Sequence, residues 1–190
     1  MRYFVGDLHF FHSNIIHFAS RPYKTVEEMN EAIIEKWNNT VKAGDTVYIL
    51  GDFSFANYKE TKAIVERLKG QKILIRGNHD ERFDTRTFIN MGFRDVYDHR
   101  IIKLGDGIKT ILYHYPYRYP WWKSALQRLY KKPIIRWYQQ FFLKDMGIPL
   151  IHGHNHNGVL FNKHSINVAW DVNKRLISET EIKNYLLGLK

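Results

Sequence analysis

The sequence predicts a layered α/β protein with a mixed β-sheet. Three patterns support this class. Short β-rich runs alternate with helical patterns in the first half of the chain, strand-like runs dominate the second half, and two of these runs flank Gly105-Asp106-Gly107 as in a hairpin. The alternation of strands and helices predicts parallel strands, and hairpins predict antiparallel strands in the same sheet. The 190 residues contain no repeat or linker-like tract, so we expect one domain spanning 1–190.

The first half alternates strands with helices. Thr25 is the predicted N-cap of the first helix with Glu28 as its capping-box partner, and the helix is amphipathic because Val26, Met29, Ile33 and Trp37 recur at helical spacing. Gly70 ends the second helix. The predicted strands are 2–5, 46–50 and 72–75, and the predicted helices are 25–39 and 57–69.

The second half is mostly strand until the C-terminal helix, which Ser178 caps with Glu181 three residues later. Two prolines, Pro120 and Pro133, delimit helical stretches at 121–132 and 134–144 within a helical insertion at about 118–145. The predicted strands are 96–104, 108–113, 149–151, 159–161 and 165–170.

Polar side chains follow five of the predicted strands directly. In an open α/β sheet, the carboxyl ends of the strands form the edge where ligands bind. We therefore expect one site assembled from these groups: Asp7 and His9, Asp52, Asn78 with His79 and Asp80, His114, and His154 with His156.

Seven of these groups are oxygen or imidazole donors, and the chain has no cysteine. This donor set suits divalent transition metals, and seven donors exceed what one ion needs. Two ions about 3.5–4 Å apart that share a carboxylate fit the number, and such a pair lowers the pKa of a bridging water near neutral pH. We expect two manganese ions, with iron, zinc, cobalt and nickel as alternatives.

The five motifs, in order, are Asp-x-His, Gly-Asp, Gly-Asn-His-Asp, a lone His and Gly-His-x-His. Over residues 1 to about 172 the chain resembles the calcineurin-like metallophosphoesterases. The resemblance implies a two-sheet β-sandwich flanked by helices. It also implies two metal sites bridged by Asp52, the first held by Asp7, His9 and His156 and the second by Asn78, His114 and His154.

The resemblance further implies that His79 stays off the metals and acts as general acid, steadied by Asp80. A histidine bonded to a carboxylate is oriented and stays protonated to higher pH, so the role is also chemically reasonable. Asp80 could instead cap a helix. The second motif reads Gly-Asp-Phe-Ser-Phe, where many members carry a further acid, so contacts around Asp52 are expected to differ.

Three residues are candidate substrate contacts. His12 follows the first motif and could touch substrate or serve the entry of a helix. Arg76 precedes the third motif and could pair with phosphate or lie at a sheet edge. Arg118 belongs to the insertion, where 117–145 holds seven basic residues, one acid and nine aromatics. This composition fits a cap that attracts phosphate and stacks bases, packing onto the body, or a dimer interface.

These patterns predict a hydrolase of phosphodiesters or phosphomonoesters, with a preference for nucleotide or nucleic-acid phosphodiesters. The net charge of +10 is compatible with polyanion binding and also with solubility by self-repulsion. The alternatives are a catalytically inactive binding module or a nucleic-acid binder on the same fold. Without an apolar run of spanning length or a leader-like start, we expect a soluble cytoplasmic protein with no membrane partner.

Overall fold

A computed structural model describes residues 1–118 and 139–188. Its strands form two five-stranded mixed sheets, which confirms the predicted two-sheet architecture. The strands are β1 (Arg2–Val5), β2 (Thr46–Ile49), β3 (Gln71–Ile75), β4 (Asp95–Tyr97), β5 (His99–Lys103), β6 (Lys109–Tyr113), β7 (Leu150–His152), β8 (Phe161–Asn162), β9 (Ser165–Asn167) and β10 (Ile177–Ser178).

The first sheet has the order β10-β1-β2-β3-β4, in which β1 to β4 are parallel and β10 is antiparallel. The second sheet has the order β5-β6-β7-β9-β8, in which β6, β7 and β9 are parallel. The helices are α1 (Ser13–Phe18), α2 (Val26–Thr40), α3 (Tyr58–Arg67), α4 (Thr85–Met91), α5 (Trp170–Asn173) and α6 (Glu179–Leu186). Among the described residues, no helix combines the length and apolar character that a membrane crossing requires.

Alternation along the strands of the first sheet builds two cores. Val47 and Ile49 of β2 pack with the apolar faces of α2 and α3, whereas Tyr48 and Leu50 pack with residues of the second sheet such as Leu112. Because successive side chains of a strand point to opposite faces, one sheet supplies both layers. The site edge is thus formed by two sheets packed face to face.

Two helix starts follow the predicted cap chemistry. Thr25 accepts the N–H of Glu28 at 3.2 Å, and Ser178 accepts the N–H of Glu181 at 3.2 Å. In a full capping box the Glu28 carboxylate would also accept the N–H of the N-cap residue Thr25, but here it accepts the N–H of Lys24, one residue earlier. Gly70 lies after α3 with φ +78, a conformation that favours glycine.

Several predicted boundaries in the second half are wrong. The run 96–104 is two strands, since β4 pairs with β3 and β5 pairs with β6 in the other sheet. Strand 159–161 is reduced to Phe161–Asn162. Strand 165–170 ends at Asn167, after which the backbone bonds the end of β1 through a bridge between Ala169 and Gly6.

The predicted insertion helix at 121–132 lies outside the described residues. The second predicted helix, 134–144, is described only from residue 139. Gln139–Phe141 is a single 3-10 turn, and Leu143 then forms a parallel bridge with Tyr117. The helix prediction is therefore wrong for 142–144, where the chain is extended and pairs with the strand-like segment that leaves β6.

Candidate dinuclear metal site

The carboxyl ends of strands from both sheets meet at one edge, and the predicted site residues come together there. Asp7 and His9 follow β1, Asp52 follows β2, Asn78 and His79 follow β3, His114 follows β6, and His154 and His156 follow β7. The turns that carry them also bond one another, since the N–H of Asp7 reaches Gly51 O and that of His9 reaches Asp52 O, both at 3.0 Å. Parallel strands of neighbouring sheets therefore place distant motifs side by side.

The ligand atoms form two overlapping groups. Those of Asp7, His9 and His156 lie within 4.8 Å of one another, and so do those of Asp7, Asp52 and His114. The first group matches the set expected for the first metal.

Asp7 belongs to both groups, and Asp52 lies close to one histidine of each. Its Oδ2 atom is 3.7 Å from His9 Nε2 and 3.7 Å from His114 Nε2. His114 Nε2 is in turn 3.2 Å from Asn78 Oδ1, and the His154 ring lies 5.1 Å from that of His114. This placement is compatible with Asp52 as the bridge and with Asn78, His114 and His154 as the second set.

Four predicted ligands have left-handed backbone conformations. Asp7, His9, Asp52 and His154 have φ of +56, +53, +55 and +63. Such conformations cost of order 1–3 kcal/mol each in non-glycine residues and persist only where neighbouring contacts impose them. One such contact is the His154 N–H, which donates to both Asp7 carboxylate oxygens at 3.1 and 2.9 Å. Backbone strain is therefore present at four candidate ligands.

Glycines at the strand ends leave room for the carboxylates. A Cβ at Gly153 would overlap Asp7 Oδ2 and lie 2.8 Å from Leu50 O, whereas a Cβ at Gly44 would meet nothing within 4 Å.

We expect Gly153→Ala to displace Asp7, lower thermal stability and weaken Mn²⁺ binding, because overpacking costs about 1–3 kcal/mol. Melting curves and metal titrations check this. Gly44→Ala is the control, and an equal effect of both substitutions would contradict the account.

Three imidazoles are oriented by their Nδ1 atoms. His114 Nδ1 is 2.7 Å from Leu50 O, His156 Nδ1 is 2.6 Å from Asp171 Oδ2, and His9 Nδ1 is 3.3 Å from His12 Nδ1. Partners on Nδ1 leave Nε2 directed at the cluster, the arrangement that metal-binding histidines need.

The pKa shifts of three of the four predicted histidine ligands suit metal binding. Burial lowers the pKa of His114 to about 3 and that of His154 to about 2, with neighbouring histidines adding to the shift of His154. Burial likewise lowers the pKa of His9 well below its ordinary value. These three imidazoles are neutral at pH 7, so their lone pairs are available to a cation. Burial also lowers the pKa of His156, but the nearby carboxylates of Asp171 and Asp7 outweigh this effect, and its pKa is raised overall.

The donors fit divalent cations on two observations. His9 Nε2 is a buried nitrogen with no hydrogen-bond partner among the described residues, and a buried polar atom of this kind is costly unless something binds it. Burial also raises the pKa of Asp7 and of Asp52, although the neighbouring His156 acts in the opposite direction on both, so a bound cation would stabilise their charged forms. Divalent cations among these atoms would satisfy both needs.

His79 lies at the mouth of the cluster. Its side chain is 41% exposed, and its Nε2 is 3.9 Å from Asp52 Oδ2. Its backbone N–H donates to Asp52 Oδ1 at 3.0 Å, and its ring packs 4.5 Å from that of Phe55. His79 is thus beside the predicted ligands but open to solvent, as a proton donor to a substrate must be.

Asp80 does not hold the imidazole of His79. Its oxygens accept the backbone N–H groups of Asp52, Phe53 and Gly77 at 2.7, 3.1 and 2.8 Å. The prediction that Asp80 steadies the His79 ring is therefore replaced by a different role. Burial and the charge of Asp52 raise the pKa of Asp80 to about 7. Asp80 fixes the two turns that carry Asp52 and Asn78.

The three candidate substrate contacts have different surroundings. His12 is half-buried and stacks on Phe55 with ring centroids 3.8 Å apart, next to His9. Arg76 pairs with Asp98 at 3.2 Å and donates to Thr85 at 2.7 Å. Arg118 donates to the carbonyls of Phe142 and Gln140 at 2.8 and 3.4 Å. Both arginines thus have protein partners, and the substrate roles of all three stay predictions.

Two residues of the site were missed from the sequence. Asp171 binds His156, and Arg21 binds Asp171 through Nε and Nη2 at 2.7 and 2.9 Å. Asp171 follows Val168, Ala169 and Trp170, and a charge that ends so apolar a run was the available signal. Arg21 has no comparable signal, because an isolated arginine before a proline is typical of a surface loop.

An aromatic wall, formed by Tyr115 and Phe142, borders His154. The ring centroids of Tyr115 and Phe142 lie 4.8 and 5.9 Å from that of His154, and both side chains are buried. Tyr115 also lies 4.9 Å from His114. The two chain segments that flank 119–138 therefore pack directly against candidate ligands.

His152 ends β7 one residue before the Gly-His-x-His motif. It is buried, its Nδ1 bonds Gly153 O at 2.8 Å, and burial lowers its pKa to about 4. This histidine is neutral when folded and takes up a proton when unfolded below pH about 6.5. Its contribution to stability is therefore intact above pH 6.5 and is lost as the pH falls from about 6.5 to about 4.

We expect His152→Gln to flatten the acid limb of the stability profile by up to about 3 kcal/mol, given ~1.4 kcal/mol per pKa unit. Urea unfolding at pH 7.5 and pH 4.5 measures the difference. All other titrating groups are shared by wild type and variant, so their contributions to the pH dependence of stability largely cancel in the comparison. An equal loss of stability in the two proteins between these pH values would rule out a buried neutral His152.

Comparisons with known proteins identify a family profile and several similar chains. The profile of the calcineurin-like phosphoesterase family matches residues 3–181. Uncharacterized protein MJ1445 of Methanocaldococcus jannaschii is 47% identical over 81 residues, which cover 42% of this chain and 46% of that protein. The chain thus spans about half the length of this relative.

Two further similarities extend over nearly the whole chain. The gene 66 protein of Mycobacterium phage L5 is 29% identical over 95% of this chain and 91% of its own length. The crystal structure of AQ665 from Aquifex aeolicus, a protein of unknown function, superposes with a TM-score of 0.66 at 29% identity, covering 97% of this chain and 98% of that one. None of these names states a substrate.

Proposed function

The chain belongs to the calcineurin-like phosphoesterase family, and from this premise we propose that it hydrolyses phosphate esters with two divalent metal ions. One observation carries the proposal. Asp52 Oδ2 lies 3.7 Å from both His9 Nε2 and His114 Nε2, and His9 Nε2 is buried without a hydrogen-bond partner among the residues that the structure describes. A carboxylate between two imidazoles is an arrangement that suits two neighbouring cations.

Asp7, His9 and His156 would hold one ion, and Asn78, His114 and His154 the other, with Asp52 between them. When bound, two such ions polarise a phosphoryl group, lower the pKa of water and offset developing negative charge. We propose manganese as the metal, because oxygen and imidazole donors without a thiolate suit it. Iron, zinc, cobalt and nickel fit the same donors.

His79 would protonate the leaving oxygen. Its ring is 41% exposed, its Nε2 is within 3.9 Å of Asp52 Oδ2, and Phe55 packs on its face. The Asp52 carboxylate also accepts the backbone N–H of His79 at 3.0 Å, which ties the turn that carries the acid to the proposed bridging ligand. Asp80 would act indirectly, by holding the turn that contains Asp52 through three backbone N–H bonds.

Within this class we propose a nucleotide or nucleic-acid phosphodiester as substrate. The chain carries a net charge of +10, and residues 119–138 contain five basic residues and no acid. Positive charge of this kind attracts phosphate backbones. The described residues on either side of that segment, Tyr115 and Phe142, pack against His154. The basic segment is therefore joined to the chain beside the proposed metals.

Hydrolysis of bis-p-nitrophenyl phosphate beside p-nitrophenyl phosphate tests the class and the preference together. The protein is stripped of metal, resupplied with manganese and assayed on both esters. Manganese-dependent cleavage of the diester at the higher rate is expected, followed by cleavage of a dinucleotide. Hydrolysis of the monoester alone would contradict the proposed preference for diesters but would still support the proposed phosphoesterase activity.

A further inference from the structure

Arg21 is a buried cation beside the site that belongs to none of the sequence motifs. Its side chain is 2% exposed and lies in the loop after α1. Its guanidinium donates to the main-chain carbonyls of Asp7 and Leu8, each at 2.8 Å. These carbonyls lie in the turn between Asp7 and His9, the two residues whose φ angles are left-handed. The Arg21 side chain thus holds, through two hydrogen bonds, the strained turn that contains two candidate ligands.

The other face of the same guanidinium binds Asp171. The Nε and Nη2 atoms of Arg21 reach the two carboxylate oxygens at 2.7 and 2.9 Å, and the Asp171 side chain is only 4% exposed. Asp171 Oδ2 also lies 2.6 Å from His156 Nδ1. Its helix, α5, is fixed to the first motif because the N–H of Trp170 donates to Gly6 O at 2.8 Å.

We propose that Arg21 and Asp171 are positioning residues for one metal site, the site formed by Asp7, His9 and His156. This inference rests on the proposed two-metal function. Arg21 holds the turn that carries Asp7 and His9, and Asp171 turns the His156 ring so that Nε2 faces Asp7 Oδ1 at 3.7 Å. A carboxylate on the far nitrogen of a metal-binding histidine fixes its ring and strengthens its basicity.

The direct side-chain bonds of Arg21 and Asp171 reach residues of one set, through the Asp7 carbonyl and His156 Nδ1. The other set is oriented by different groups, since His114 Nδ1 bonds Leu50 O and the turn that contains Asn78 is fixed by Asp80. Loss of the Arg21 and Asp171 bonds should therefore weaken one ion and spare the other. A purely structural ion pair would instead lower stability without distinguishing between the sites.

Calorimetric titration of Mn²⁺ into the metal-stripped full chain measures both affinities. Wild type is expected to bind two ions. Asp171→Asn preserves the size of the side chain but loses its charge, and one ion should bind about 10- to 100-fold more weakly while the other is unchanged. Arg21→Lys keeps the charge but not the fork of donors, and it should weaken the same ion.

Glu181→Gln is the matched control, because it breaks another bidentate pair, Arg175 with Glu181 at 2.8 and 2.6 Å, on the C-terminal helix. It should leave both affinities unchanged. Circular dichroism melts of the metal-free variants identify any that do not fold, and if Asp171→Asn does not, Arg21→Lys supplies the same test.

Two ions bound with unchanged affinities in the folded variants, or two ions weakened equally, would overturn the positioning role and leave the proposed function intact. A folded wild type that binds no manganese would overturn the two-metal proposal, and the positioning role with it.

Discussion

Asp52→Asn is expected to lower kcat for phosphodiester hydrolysis by about 10³-fold or more. The substitution keeps the shape of the side chain but removes the one negative charge that lies 3.7 Å from His9 Nε2 and from His114 Nε2. A carboxylate shared by two ions holds them together, and the charge stabilisation such ions provide is worth several kcal/mol, at about 1.4 kcal/mol per factor of ten. Steady-state kinetics at saturating manganese measures the loss.

The fold should survive this substitution. Asp52 Oδ1 accepts the His79 N–H at 3.0 Å, and an asparagine oxygen can accept the same bond. Burial also raises the pKa of Asp52, so a neutral side chain costs less there than an ion without a counter-charge. The metal-free Asp52→Asn variant should melt at or above the wild-type temperature. Retention of wild-type kcat in this variant would contradict the assignment of Asp52 as a metal ligand.

His79→Ala is expected to have an effect that depends on the leaving group. A positioned general acid contributes about 10²–10⁴-fold to the rate, but only where the leaving oxygen needs a proton. With an alkoxide leaving group the variant should lose this factor. With p-nitrophenolate, which leaves readily as an anion, the loss should be under about tenfold.

The control for this variant is His99→Ala, since His99 is an exposed histidine on β5, which contributes no predicted ligand. It should match wild type on both esters. Manganese stoichiometry should stay unchanged in His79→Ala, because the ring of His79 is not among the predicted ligands. Equal losses on the alkyl and p-nitrophenyl esters would contradict the acid role, and loss of a bound ion would reassign His79 as a ligand.

The motif residues could be placed from the sequence because each one directly follows an apolar strand. Parallel strands end at a common edge, so Asp7, Asp52 and Asn78 had to meet once β1, β2 and β3 were adjacent. The second sheet was implied by resemblance rather than by pattern. The run 96–104 was predicted as one strand although the chain changes sheets at Asp98, because local sequence shows which residues favour a strand and not which strand lies alongside.

The supporting residues could not be predicted in the same way. Asp80 was expected beside the His79 ring because the two are adjacent in sequence, yet its oxygens bond the backbone of another strand end, Asp52 and Phe53. Arg21 acts on carbonyls, and any residue type supplies a carbonyl, so no motif marks its partners. Contacts of this kind depend on the tertiary fold, and the short helix α5 was missed for the same reason.

The most direct test of the two-metal account is activity measured against manganese equivalents. Metal-stripped protein, at a concentration well above the dissociation constants, receives increasing Mn²⁺ while hydrolysis of bis-p-nitrophenyl phosphate is followed. The account predicts negligible activity without metal and a rate that stops rising at two equivalents per chain. A plateau at one equivalent, or hydrolysis that persists in the presence of a chelator, would contradict it.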